Sequence, residues 1–186
     1  LFSAQAGRNF QLAKQQTLKA GLGYYSYSHT VGNTPFYNGA AAGNSVDLAG
    51  NYLNDYRLLE LFAEFKTELK GVPFTMFADA VKNTAVSTAD TGYAIGMVLG
   101  SANESGKSEF AYAWYDTEAD AVVGTFNDSS FARGMTDGDG HFIKAKYAIR
   151  DNVQLGGTLI VSRYGQFSGM ERDYNRVTID IEFSFE

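Results

Sequence analysis

The sequence predicts an all-β fold: an antiparallel transmembrane β-barrel, with about nine strands in this chain as one segment of a larger barrel. Three observations predict it. Apolar and polar residues alternate over long stretches, the period of a strand with one greasy and one wet face. These stretches run to roughly nine to eleven residues, the length that crosses a bilayer when tilted, whereas strands of globular domains are mostly about five or six. The connections between them alternate between brief and extended.

Composition fits this class. The chain has 186 residues and is 45% hydrophobic, with 12 Tyr, 14 Phe, one Trp, 20 Gly and two Pro. Its mean hydropathy is −0.22, and no apolar run approaches the ~20 residues of a membrane-spanning helix. A helical membrane protein is thereby excluded, and a barrel is not, because barrel strands alternate. There is no Cys, so a closed ladder of backbone hydrogen bonds must do what disulfides do in many small secreted domains. A net charge of −6 and a pI near 4.9 exclude nucleic acid as a partner. No signal peptide is apparent and residue 1 is Leu, so a processed or truncated piece of a longer precursor is expected.

Taken in order, residues 1–6 read as the tail of a strand, and polar residues 7–15 read as a turn. Over residues 16–28, Leu18, Ala20, Leu22 and Tyr24 share one face; Thr17, Lys19, Gly21 and Gly23 share the other. Residues 29–50, rich in Gly, Asn, Ala and Thr, read as a long loop. Over residues 54–67, Leu59, Leu61, Ala63 and Phe65 alternate with Glu60, Phe62, Glu64 and Lys66. Leu58, Leu59, Phe62 and Phe65 also fit a helical stripe, but the context favours a strand. A turn at Leu69-Lys70-Gly71 leads to a strand opened by Pro73, with Phe74, Met76, Ala78 and Ala80 against Thr75, Phe77 and Asp79. Residues 83–90 are a loop. Residues 91–102 set Tyr93, Ile95, Met97 and Leu99 against Ala94, Gly96, Val98 and Gly100. After a turn at residues 103–106, residues 107–117 set Phe110, Tyr112 and Trp114 against Glu109, Ala111, Ala113 and Tyr115. Residues 118–140 read as the longest loop. Residues 141–150 set Ile143, Ala145, Tyr147 and Ile149 against Phe142, Lys144 and Lys146. A tight turn at Asp151-Asn152 precedes residues 153–163, where Leu155, Gly157, Leu159 and Val161 oppose Gln154, Gly156, Thr158, Ile160 and Ser162. Residues 164–175 are a loop. In the last stretch Val177, Ile179, Ile181, Phe183 and Phe185 alternate with Arg176, Thr178, Asp180, Glu182 and Ser184. Its apolar residues are all β-branched or aromatic. It ends in the aromatics that favour a membrane–water interface, which puts Phe185 at the periplasmic rim with Glu186 beyond it.

The loop lengths sort by end. Turns near residues 7–15, 69, 105 and 151 lie at one end, and loops 29–50, 83–90, 118–140 and 164–175 at the other. Outer-membrane barrels have short periplasmic turns and long outer loops. They also have even strand numbers in bacterial single chains. First and last strands here both descend, so an odd number of further strands is expected upstream.

These features resemble the C-terminal half of the bacterial putative-porin family. The resemblance rests on Leu18-Lys19-Ala20-Gly21-Leu22-Gly23-Tyr24-Tyr25-Ser26-Tyr27, on Phe74-Thr75-Met76-Phe77-Ala78-Asp79-Ala80-Val81-Lys82-Asn83, and on Asp90-Thr91-Gly92-Tyr93. Glu118-Ala119-Asp120-Ala121 and Tyr147-Ala148-Ile149-Arg150-Asp151-Asn152-Val153 extend it over most of the chain. The resemblance implies passive diffusion of small hydrophilic solutes or ions across the outer membrane, with no substrate assigned and no enzymatic role.

With apolar rows facing lipid, the other rows face a lumen, because Lys or Arg on the lipid face near midplane costs roughly 2–4 kcal/mol. The expected pore lining is Lys19, Glu60, Glu64, Lys66, Asp79, Glu109, Lys144, Lys146, Asp180 and Glu182. Asp180 and Glu182 lie two strands from Lys144 and Lys146, which would set a field across the channel. Gly21, Gly23, Ala94, Gly96, Gly100, Ala111 and Ala113 would leave room in it. Tyr24, Tyr93, Tyr112, Trp114, Phe183 and Phe185 are the expected interface aromatics. The loop at residues 118–140 either folds inward as a constriction or stays exposed. Asp137-Gly138-Asp139-Gly140 resembles part of a calcium loop but lacks the downstream Glu. Ser129, Asp139 and His141, with His29, sit in loops and make no evident triad. No metal and no cofactor is expected. The expected partners are membrane lipids and lipopolysaccharide, small hydrophilic solutes and further copies of the chain. Two alternatives remain at this stage: a closed-lumen barrel acting as anchor or adhesin, and a soluble lipocalin-like barrel with its apolar rows turned inward.

Overall fold

A computed structural model describes residues 1–184; Phe185 and Glu186, and with them the expected periplasmic-rim aromatic, lie outside the described residues. Nine strands form one antiparallel sheet in chain order. They are β1 (Phe2–Ala13), β2 (Gln16–Tyr27), β3 (Tyr56–Leu69), β4 (Val72–Asn83), β5 (Thr91–Gly100), β6 (Ser108–Thr117), β7 (Gly138–Arg150), β8 (Val153–Tyr164) and β9 (Arg172–Phe183). The helical competitor over residues 54–67 is absent: β3 pairs along its whole length with β2 and β4. No helix among the described residues is long and apolar enough to cross a membrane.

Two expectations about the connections are corrected. Residues 7–15, read as a turn, are mostly β1, and the turn is only Lys14-Gln15. Gly7 and Asn9 are poor strand formers, yet Gly7 sits opposite Gly21, and the ring of Phe62 lies over both. Packing from two strands away outweighs local propensity. The longest connection is residues 28–55, not residues 118–140, because Gly138-Asp139-Gly140 is already paired within β7. At the other end, Lys70 and Gly71 both have positive φ, 52° and 81°. A two-residue hairpin turn whose twist matches its strands requires that at both central positions.

Opposed residues share a face, so the register decides whether the apolar rows align. They do. One unbroken line crosses all nine strands: Phe10, Leu18, Phe65, Met76, Met97, Tyr112, Ile143, Leu159 and Val177. This face is bare. Leu22 is 50% exposed, Ile95 54% and Ile179 77%. The buried residues lie instead on the opposite face and under the loops, in one cluster around Tyr52, Tyr56, Leu58 and Val123 and another around Phe131, Ala132 and Ile160. The sheet is open, with β1 and β9 as its two edges.

Candidate functional site

The ten expected lining residues all fall on the face opposite the exposed apolar rows. Lys19 is registered against Glu64, Glu109 against Lys146, and Lys144 between Ala111 and Thr158. Glu64 pairs with Lys66 along one strand, N to O 3.0 Å. Glu60 accepts from the Tyr25 hydroxyl at 3.0 Å and from the Gln5 amide at 3.3 Å, and Asp79 lines the same cavity beside it. The field expected between the Asp180–Glu182 pair and the Lys144–Lys146 pair is partly cancelled at its source. Lys146 reaches across β8, over Gly156, to Glu182 at 3.1 Å. A pair in contact presents little net charge to anything further away.

Several glycines of this face are closely covered by side chains. A Cβ on Gly21 would meet the ring of Phe62, one on Gly96 the ring of Phe77, and one on Gly156 the Asp180 carboxylate. These side chains come from neighbouring strands. The space directly above these three glycines is taken by rings and a carboxylate.

Two connections close over this face at the long-loop end. Residues 118–137 run along it from β2–β4 to β6–β8. Val123 packs on Leu58 and Tyr56 with Tyr25, Tyr27 and Val81 alongside; Phe131 and Ala132 pack on Ile160 with Tyr115 and Phe142. Phe126 stacks on Tyr27, centroids 5.9 Å apart, and meets Phe36 at 5.8 Å. The loop therefore packs on the charged face rather than standing free of it.

Asp120 ties the two loops together. Its carboxylate, 2% exposed, accepts from the Ser45 N–H at 3.0 Å, the Ser45 hydroxyl at 2.5 Å, the Asn54 amide at 2.9 Å and the Tyr56 hydroxyl at 3.0 Å. Four donors replace the water that a buried carboxylate gives up. Asn44 does the reciprocal task, donating to the carbonyls of Ala119 (2.7 Å) and Val122 (2.8 Å) and accepting the Gly124 N–H at 2.7 Å. Gly43, at φ 92°, has no room for a Cβ against Thr136, nor Gly124 against Ala42. In the base of the long loop, burial alone would raise the Asp55 carboxyl. The Thr30 N–H and hydroxyl and the Val31 N–H outweigh it and hold it below its ordinary value. Sequence reasoning missed this interlock. The one signal was the Glu118-Ala119-Asp120-Ala121 segment, an acid among small residues, read only as a family match.

The remaining candidates do not converge. Asp137 accepts the backbone N–H of Phe167 at 2.9 Å, and Asp139 pairs with Arg163 at 2.8 Å. His141 Nδ1 bonds the Tyr112 hydroxyl at 2.9 Å, away from Ser129. On the apolar face, Tyr24, Tyr93 and Trp114 lie toward the long-loop end and Phe183 at the short-turn end. Tyr112 lies one row below Trp114, registered with Met97 and Ile143.

No curated protein and no solved structure matches the chain. Residues 45–185, most of its length, match the family described as putative porin. That family points to a transport or structural role at the outer membrane. This chain, an antiparallel sheet with a bare apolar face opposite a loop-roofed one, belongs to the putative porin family.

Proposed function

We propose that this sheet is part of an outer-membrane β-barrel through which small hydrophilic solutes or ions diffuse passively. One observation carries the reading: the apolar line that crosses all nine strands is exposed while the charged rows lie on the roofed face. In water that arrangement leaves a large contiguous apolar surface uncovered; in a bilayer it is the expected one. Strands of 10 to 14 residues are long enough to span. In a membrane the unpaired backbone at β1 and β9 must find partners. Both edges run in the same direction, so antiparallel closure takes an odd number of additional strands between them. The soluble lipocalin-like alternative needs the apolar rows inside, and their exposure stands against it.

The closed-lumen reading keeps some support from the loops that roof the charged face. Conductance separates the two. Folded protein is expected to need detergent, and on insertion into a planar bilayer to give discrete ohmic steps. Stable, monodisperse protein in plain buffer contradicts the membrane assignment; insertion without conductance selects the anchor.

A further inference from the structure

A second cavity lies among the outer loops, and nothing assigned so far uses it. It encloses about 560 Å³, within the ~300–1,000 Å³ of ordinary small-molecule sites. Three separate connections build its apolar wall. Val46 and Leu53 come from residues 28–55, Met135 from residues 118–137, and Phe167 and Met170 from residues 165–171. Leu53, Phe167 and Met170 are 51%, 60% and 65% exposed, apolar surface held open rather than packed away.

The polar part of the cavity is cationic. Arg133 and Arg172 both line it, with Tyr164 in the same wall. Neither has a carboxylate within ion-pair distance among the described residues. Among the described residues Asp137 is the only acid in the wall, and its carboxylate accepts the N–H groups of Phe167 and Ser168. In a chain with 21 acids against 15 bases, two guanidiniums lining one cavity without an ion-paired acid among the described residues run against the background charge. Ala132 and Arg133 also hold consecutive left-handed φ values, 46° and 61°. Backbone strain of that kind persists only where the surroundings enforce it, here the packing of Phe131 and Ala132 on β8, and it fixes where Arg133 leaves the chain.

We propose that this cavity binds amphipathic organic anions, an aromatic or branched apolar body carrying one carboxylate. The guanidinium forks take the carboxylate and the Met and Phe side chains take the body. Tyr164 and Arg172 are registered with each other on the charged side of β8 and β9, so the cavity sits at the mouth of the channel proposed above. Its position there rests on that reading; its chemistry does not.

The test is a calorimetric titration of the full chain, folded in a nonionic detergent, with 2-naphthoate. 2-Naphthylmethanol and acetate serve as the uncharged and the bodiless probes. Naphthoate is expected to bind saturably and more tightly than either. Arg172→Gln should weaken it about tenfold, the value of one charge-assisted contact. Arg133→Gln with Arg172→Gln should remove the preference over naphthylmethanol, with the circular dichroism unchanged. Equal affinity for the acid and the alcohol, or undiminished binding by the double variant, overturns the proposal. A chain that conducts but does not bind naphthoate keeps the channel and loses this site; one that binds but does not conduct does the reverse.

Discussion

Asp120 holds the two long outer loops together through four hydrogen bonds to its carboxylate. Asp120→Ala leaves the donors of Ser45, Asn54 and Tyr56 unmatched, at about 1–3 kcal/mol for each that stays dry. Limited proteolysis should then cut within residues 28–55 and 118–137 while the β-sheet signal in circular dichroism persists; uncut loops would mean the interlock does not depend on it. Asp55 gives the pH response its sign. Its carboxyl is held below the ordinary value, so the stability it adds is complete above the unfolded value near ~4 and fades as pH falls through the depressed one. Proteolysis of the long loop is expected to accelerate below about pH 4 in the parent chain and to lose that dependence in Asp55→Asn. None of this was legible in the sequence. A buried Asp looks the same on paper as an exposed one, and its donors lie 64 to 75 residues away. The glycines misled for a related reason. Gly21 and Gly96 read as open space because the rings that cover them belong to other strands.

For a single strand the test of sidedness is a pair of neighbours. Met97 and Val98 are adjacent on β5, one on the exposed apolar line and one registered with Thr75 and Ala111 on the charged face. Met97→Lys should cost roughly 2–4 kcal/mol in lipid vesicles, read by denaturant unfolding, and Val98→Lys far less. Equal costs would mean the two faces do not see different solvents. Other charges in the apolar rows, such as Lys82, Asp116 and Arg163, sit at the long-loop end, and Arg8 does not. It lies midway along β1 opposite Ala20, its guanidinium 5.4 Å from the Phe10 ring. Arg8→Leu is expected to stabilise the sheet in a bilayer by a similar ~2–4 kcal/mol; a loss of stability would place that stretch of β1 against something other than hydrocarbon. Strands were the most legible level, because period two survives any change of solvent. β9 was readable from alternation alone; β3 needed its context, because Leu58, Leu59, Phe62 and Phe65 also trace a helical stripe. β1 was not, since Gly7, Asn9 and Arg8 dilute its pattern and only pairing with β2 restores it.

Over the whole molecule, hairpin order and the sorting of loops by end were readable because each depends on spacing along the chain. The fold of the loops over the charged face was not, because it depends on contacts between segments far apart in sequence. What spacing could not give either is the direction in which the apolar face looks, and the account stands on that direction. The chain holds a single Trp, Trp114, on the apolar face toward the long-loop end and registered with Ile95 and His141. Reconstituted into vesicles of phospholipid brominated at shallow or deep acyl positions, its fluorescence reports which solvent it meets. The account predicts strong quenching by brominated lipid, greater from the shallow position, and little from aqueous iodide. Quenching by iodide with indifference to bromine at either depth would contradict it.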